Sequence, residues 1–123
     1  MLKVNFFHIC DSTIFDQATG KLSIIGIFTN INAPNFPAMH PMMSLVIGLE
    51  NKNPGKYDVE LEFLDEKESI LKLPSKIEIG VNGKGVWVHN ITGYTIPREL
   101  TQKIKLTYEK EVIYTDYLSI NNK

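Results

Sequence analysis

Apolar and polar side chains alternate along most of this chain. Tyr57, Val59, Leu61 and Phe63 interleave with Asp58, Glu60 and Glu62, which is the two-residue period of a β-strand with one buried and one wet face. The same rhythm, broken by turn-forming residues, predicts strands on either side. Lys3 to Cys10 reads as the first strand, a polar loop from Asp11 to Gly20 follows, and Lys21 to Ile31 returns as the second. Asn32 to Met43 holds Pro34, Pro37 and Pro41. Each proline removes a backbone donor and biases its predecessor to extended geometry, so this segment is expected to cross the surface outside any central ladder. Ser44 to Asn51 gives a third strand, Lys52-Asn53-Pro54-Gly55 a tight turn and Lys56 to Asp65 a fourth strand. A turn over Asp65 to Ser69 leads into a short strand from Ile70 to Leu73.

Ile77, Ile79 and Val81 then run into Asn82-Gly83, the dipeptide that best tolerates the backbone of a two-residue hairpin turn. A tight hairpin there sets Val81 opposite Lys84, Ile79 opposite Val86 and Ile77 opposite Val88, leaving Glu78, Trp87 and His89 on the other face. Gly93 to Thr101 is expected to be a long connection with one helical turn at Pro97 to Leu100. Gln102 to Tyr108 and Val112 to Ile120 close the chain as a hairpin over Glu109-Lys110-Glu111. The sum is roughly eight or nine strands and no long helix, which predicts an all-β fold: one antiparallel β-sandwich domain over residues 1–123, with a barrel as the rival.

Composition narrows the function classes. With 43% hydrophobic and 22% charged residues the chain reads as globular, neither disordered nor fibrous. A formal net charge of -1 provides no basic field, so neither nucleic acid nor an anionic membrane is expected as partner. No apolar run approaches a bilayer's thickness. Met1 to Cys10 is apolar but interrupted by Asn5 and His8, with no basic segment before it, and reads as a strand and not a signal. The single cysteine cannot form an intramolecular disulfide and fits a reducing cytoplasm, with Cys10 as a buried small hydrophobe among Phe6, Phe7 and Ile9.

Cys10-Asp11, the run Gly20-Lys21-Leu22-Ser23-Ile24-Ile25-Gly26-Ile27-Phe28, Pro37, Pro41 and Ser44-Leu45-Val46-Ile47 together resemble a family of small uncharacterised bacterial β-sandwich proteins, a domain of unknown function. The resemblance extends over nearly the whole chain and includes Gly93 before a proline-containing loop. It implies an immunoglobulin-like sandwich in a bacterial cytoplasm and brings no catalytic residues with it.

Several clusters invite chemistry. His8, Cys10 and Asp11 suggest an activated thiol, but nothing supplies an oxyanion hole or a third orienting group, and packing explains the cysteine as well. Met39, His40, Met42 and Met43 are soft ligands of the kind that select Cu(I), although methionines also fill gaps where a loop covers a core. His8, His40 and His89 lack zinc-ligand spacing. Asp58, Glu60 and Glu62 form one wet strand face and not a glycosidase pair, while Asp11 and Asp16 are expected to bond their own turn backbone. Gly20, Gly83 and Gly85 precede no helix that would hold a phosphate. No cofactor and no metal are therefore expected.

What remains is recognition without catalysis. Loops at one end of a sandwich bind because the scaffold holds them, which singles out Phe36, Met39, His40 and Met42 as an apolar contact patch for another protein. Self-association through an edge strand is the second route, with Val112 to Ile120 as the expected edge. A carbohydrate-binding module is the alternative function. It requires Trp87 exposed with His89 and Tyr94 as ligand-binding neighbours, whereas a Trp87 that fills the core leaves Val86 and Val88 facing out.

Overall fold

The computed structural model describes all residues, Met1–Lys123, and contains no helix. Nine strands follow one another: β1 (Lys3–Asp16), β2 (Lys21–Phe28), β3 (Asn30–Ala33), β4 (Ala38–Glu50), β5 (Gly55–Asp65), β6 (Glu68–Ile79), β7 (Lys84–Ile96), β8 (Leu100–Tyr108) and β9 (Glu111–Asn122). They form two sheets, ordered β2-β1-β4-β7 and β3-β9-β8-β5-β6. This is a sandwich and not a barrel. Every pairing is antiparallel except β3 with β9, which is parallel.

Alternation builds the core as the residue pattern requires. Val59, Leu61 and Phe63 of β5 are buried against Leu45 and Ile47 of β4, Ile104 and Leu106 of β8 and their neighbours in one continuous cluster. On the outer face of β5 the register sets opposite charges directly across from one another. Glu62 lies opposite both Lys72 and Lys105, with Nζ at 3.9 and 3.6 Å, and Asp58 lies opposite Lys76 at 3.6 Å. The carboxylates are thus neutralised by the flanking strands. In the first sheet β4 is central and buried on both faces from Met43 to Leu49. Its outer side is covered by neighbours: the Phe6 ring lies over Gly48 and stacks on His8 at 5.6 Å, and Ser44 Oγ donates to Asn90 Oδ1 at 2.6 Å.

Four sequence expectations are corrected. Asn82-Gly83 does reverse the chain, with Gly83 N–H donating to Gly80 O at 2.9 Å and Lys84 N–H to Asn82 Oδ1 at 3.1 Å, but β6 and β7 then part. β6 joins β5 and β7 joins β4 in the opposite layer, so the facing pairs Ile79–Val86 and Ile77–Val88 do not exist. Turn chemistry specifies a reversal; it does not specify which flank of a strand finds a partner. Ile70 to Leu73 and Ile77 to Val81 fuse into β6 across Pro74, which sits opposite Glu60 on an outermost strand where a missing donor costs little. The proline-rich crossover supplies β3 and the first half of β4. Pro41 stands opposite Gly93 where the β4–β7 pairing lapses, so its missing donor interrupts that ladder at a single position. Finally, β7 runs on to Ile96, and the turn after it is held by Arg98, whose Nη2 reaches both Asp65 oxygens at 2.8 and 2.6 Å, with no helical turn.

The corner between the layers depends on a residue without a side chain. A Cβ on Gly85 would lie 2.2 Å from the Glu78 carbonyl oxygen, a backbone atom that cannot yield without moving β6. A Cβ on Gly48 meets the Phe6 ring at 2.1 Å, but that ring is 36% exposed and free to swing outward. Gly85→Ala is therefore expected to cost about 3 kcal/mol and Gly48→Ala about 1 kcal/mol in denaturant unfolding. Equal or reversed effects would contradict this account of the corner.

Candidate functional site

The four loop candidates are split by the geometry. Phe36 lies in the turn between β3 and β4, half-buried against the core. Met39, His40 and Met42 are on β4 itself, paired with Thr95, Tyr94 and Thr92 of β7. Pairing lapses where Pro41 meets Gly93, and the inward-outward alternation shifts by one residue there, since both Ile91 and Tyr94 face the core. The shift puts Met39 and Met42, 64% and 45% exposed, on one outward face with Thr92 and Thr95. His40 turns the other way. Its ring lies 5.5 Å from Phe28, and its Nε2 is buried without a hydrogen-bond partner beside Ile31 and Asn32.

Soft ligands do not converge here. Met43 is fully buried in the core, so the four residues of the copper reading point in three directions. Nowhere do three or more His, Cys, Asp or Glu side chains come close enough to hold a metal ion.

The alternative ligand set lacks a platform. Trp87 packs against the core with its ring edge-on to His89 at 6.0 Å, and Val86 faces out. Tyr94 is buried, and its hydroxyl donates to Gln102 Oε1 at 2.6 Å; Gln102 Nε2 has no partner. Burial pushes the Tyr94 phenol up to about 12, the Gln102 bond offsetting only part of that. Trp87 is thus half-buried against the core, while the Tyr94 phenol is sealed inside it.

Cys10 is buried as the apolar N-terminal strand led us to expect, with its Sγ 3.4 and 3.5 Å from the carbonyl oxygens of Ser12 and Ser44. Burial raises its pKa first and the Asp11 charge second, so the thiol stays protonated and the carboxylate works against a thiolate. His8 faces Phe6 and is not bonded to the sulfur. Asp16 does cap its turn, accepting from Ala18 N–H at 2.9 Å.

Two features escaped the sequence reading. Asp11 to Asp16 are not loop: β1 continues to Asp16 and pairs with β2 down to Lys21, exposing Ile14 and Phe15. A cleft of about 420 Å³ lies between the N-terminal end and the β8–β9 turn, lined by Leu2, Tyr108, Glu109, Val112 and Ile113. β2, β7, β3 and β6 are the outermost strands, and the expected edge from Val112 to Ile120 is covered by β3 only from Ser119 on, leaving Val112 to Leu118 free on that flank.

A model of a family of unknown function matches residues 5–117. The chain belongs to that family, DUF6941. No match exists among curated protein sequences. Among solved structures, an immunoglobulin-like protein of Pseudomonas aeruginosa superposes with a TM-score of 0.52 at 10% identity, covering 98% of this chain and 96% of that one. A β-glucosidase of Listeria innocua gives 0.55 at 9% identity over 98% of this chain and only 16% of its own. The alkylpurine DNA glycosylase AlkC of Pseudomonas fluorescens, bound to DNA containing an abasic site analogue, gives 0.53 at 8% identity and 30% of its own length. The chain thus spans a small part of both enzymes. These likenesses establish the fold, an immunoglobulin-like sandwich, and nothing about chemistry.

Two outcomes follow for this DUF6941 chain. Cys10 in the native protein should react with an aromatic disulfide reagent only at the rate of unfolding, and become fast in denaturant; rapid native labelling would reinstate a thiol chemistry. Because the Tyr94 pKa is raised in the fold, its stabilising effect is full below about pH 10 and is lost as pH climbs towards 12. The melting temperature should fall over that window, and Tyr94→Phe should flatten the fall.

Proposed function

We propose that the chain is a non-catalytic recognition module of a bacterial cytoplasm, binding another protein through the outward face where β4 meets β7. The observation that carries this reading is the pair Met39 and Met42. Two flexible thioethers stand exposed on a paired ribbon, flanked by Thr92 and Thr95, and neither Ala38–Ser44 nor Ile91–Ile96 contains an acidic residue, lysine or arginine. Methionine adapts to the shape of an apolar partner, and a charge-poor patch is what the centre of a protein interface needs. Pro41 restricts the backbone between the two methionines, so little order has to be gained on binding.

The absence of catalysis is supported by the state of the reactive groups. The thiol is buried and held protonated, and Glu62 and Asp58 are occupied by lysines. A lone buried cysteine also suits a reducing compartment.

Met39→Glu with Met42→Glu should leave the melting temperature within about 2 °C of wild type, since both sites are exposed. Proteins retained by the immobilised wild-type chain from its host's lysate should fall about tenfold or more on the double variant, read by quantitative mass spectrometry. An unchanged set of retained proteins would overturn the reading.

A further inference from the structure

The first sheet ends on an edge that nothing in the molecule covers. β2 is hydrogen-bonded to β1 alone, and β4 pairs with β1 no further than Cys10 opposite Ser44. Residues 11–16 and 21–26 therefore leave the sheet as a two-stranded arm. Register places Ile14 and Ile25 on one face of it and Phe15, Leu22 and Ile24 on the other. Ile14, Phe15, Ile25 and Ile27 are 56%, 62%, 43% and 55% exposed. A two-stranded ribbon is marginal by itself in water, and this one is apolar on both sides.

The other edges are protected. β6 carries Glu68, Lys72, Lys76 and Glu78 with Pro74 at its middle, and β3 is only four residues long. β7 turns Trp87, Ile91, Tyr94 and Ile96 to the core and leaves only Val86 as a large exposed aliphatic. Leu22 to Phe28, by contrast, contains neither charge nor proline. Free backbone groups and a run of exposed aliphatic side chains coincide most fully at β2, whereas β7 exposes Val86 alone and β9, free on one flank as far as Leu118, exposes Val112 and Tyr117.

We propose that β2 pairs antiparallel with β2 of a second copy across a two-fold axis, joining the two four-stranded sheets into one continuous sheet and closing the free edge of each arm. The strand is self-complementary in charge. Its one ionic residue, Lys21, stands at its start, so a pairing about the strand's middle brings each Lys21 to the uncharged far end of the other strand and never to its twin. Of the four exposed side chains, Ile25 and Ile27 lie on β2 itself and come beside the copy's strand, whereas Ile14 and Phe15 lie one strand further back on β1, so backbone hydrogen bonds between the two β2 strands carry most of the contact. The dimer stands on residues other than Met39 and Met42, so Met39→Glu with Met42→Glu leaves it intact.

Light scattering during gel filtration, with sedimentation equilibrium for the constant, tests the arrangement on the full chain. Wild type is expected at twice the monomer mass. Ile25→Lys and, independently, Ile27→Lys should each raise the dissociation constant about tenfold or more with unchanged circular dichroism, while Val86→Lys on β7 changes nothing. A wild-type monomer at every soluble concentration would overturn the proposal and give the edge to a partner of different sequence. So would a dimer that resists both β2 lysines or yields to Val86→Lys.

Discussion

Burial of β4 on both faces is the constraint on which the rest of the structure depends. From Met43 to Leu49 no residue of this strand meets water to any extent, so each backbone donor and acceptor there has to be satisfied by β1 on one side and β7 on the other. Its inward side chains form the first sheet's central share of the core, and its outward Ser44, Val46 and Gly48 are sealed by Phe6, His8 and Asn90. That requirement determines where β7 goes. A hairpin of β7 on β6 would have left β4 with one unsatisfied flank in the interior, a cost of the order of 1–3 kcal/mol for each buried group.

The two outer faces are built on different physics. The second sheet is laced by cross-strand ion pairs centred on β5, with Glu62 between two lysines and Asp58 opposite a third. Exposed pairs of this kind add little stability, but they keep the face wet and discourage association. The first sheet's outer surface carries Phe6, Val86, Met39, Met42 and the apolar arm, and no ion pair. Both the proposed recognition patch and the proposed self-pairing edge lie on this side.

Legibility in the sequence followed locality. The alternation of Tyr57 to Phe63, the reversal at Asn82-Gly83 and the β8–β9 hairpin, closed by Glu109 and Lys110 at φ 51 and 66°, are set by neighbouring residues and were readable. Pairing across the sheet was not. The choice of β4 over β6 as partner for β7, and of β9 for β3, is decided by residues far apart in the chain. Asp11 to Asp16 looked like a loop because its polar residues are not spaced by two, yet an arm with no core to face has no reason to alternate. Prolines misled in the same direction: Pro74 sits inside an outermost strand, and Pro41 sits inside β4 at the one position where its pairing with β7 lapses. For the site, Met39 and Met42 were legible as exposed and apolar, while the inward turn of His40 depended on the shift of alternation at Pro41 and Gly93.

The interior uses up most of its reactive groups. Ser44 is bonded to Asn90, Tyr94 to Gln102, and the Cys10 thiol lies against two backbone carbonyls. A sandwich whose polar interior is spent this way retains two means of recognition: the shape of exposed apolar side chains and the free backbone of an edge strand. Both occur on the β2-β1-β4-β7 sheet, one on the face where β4 meets β7 and the other at the β2 edge. The two are compatible, because a copy paired along β2 extends the sheet away from β7 and leaves the face bearing Met39 and Met42 open to a partner of another kind.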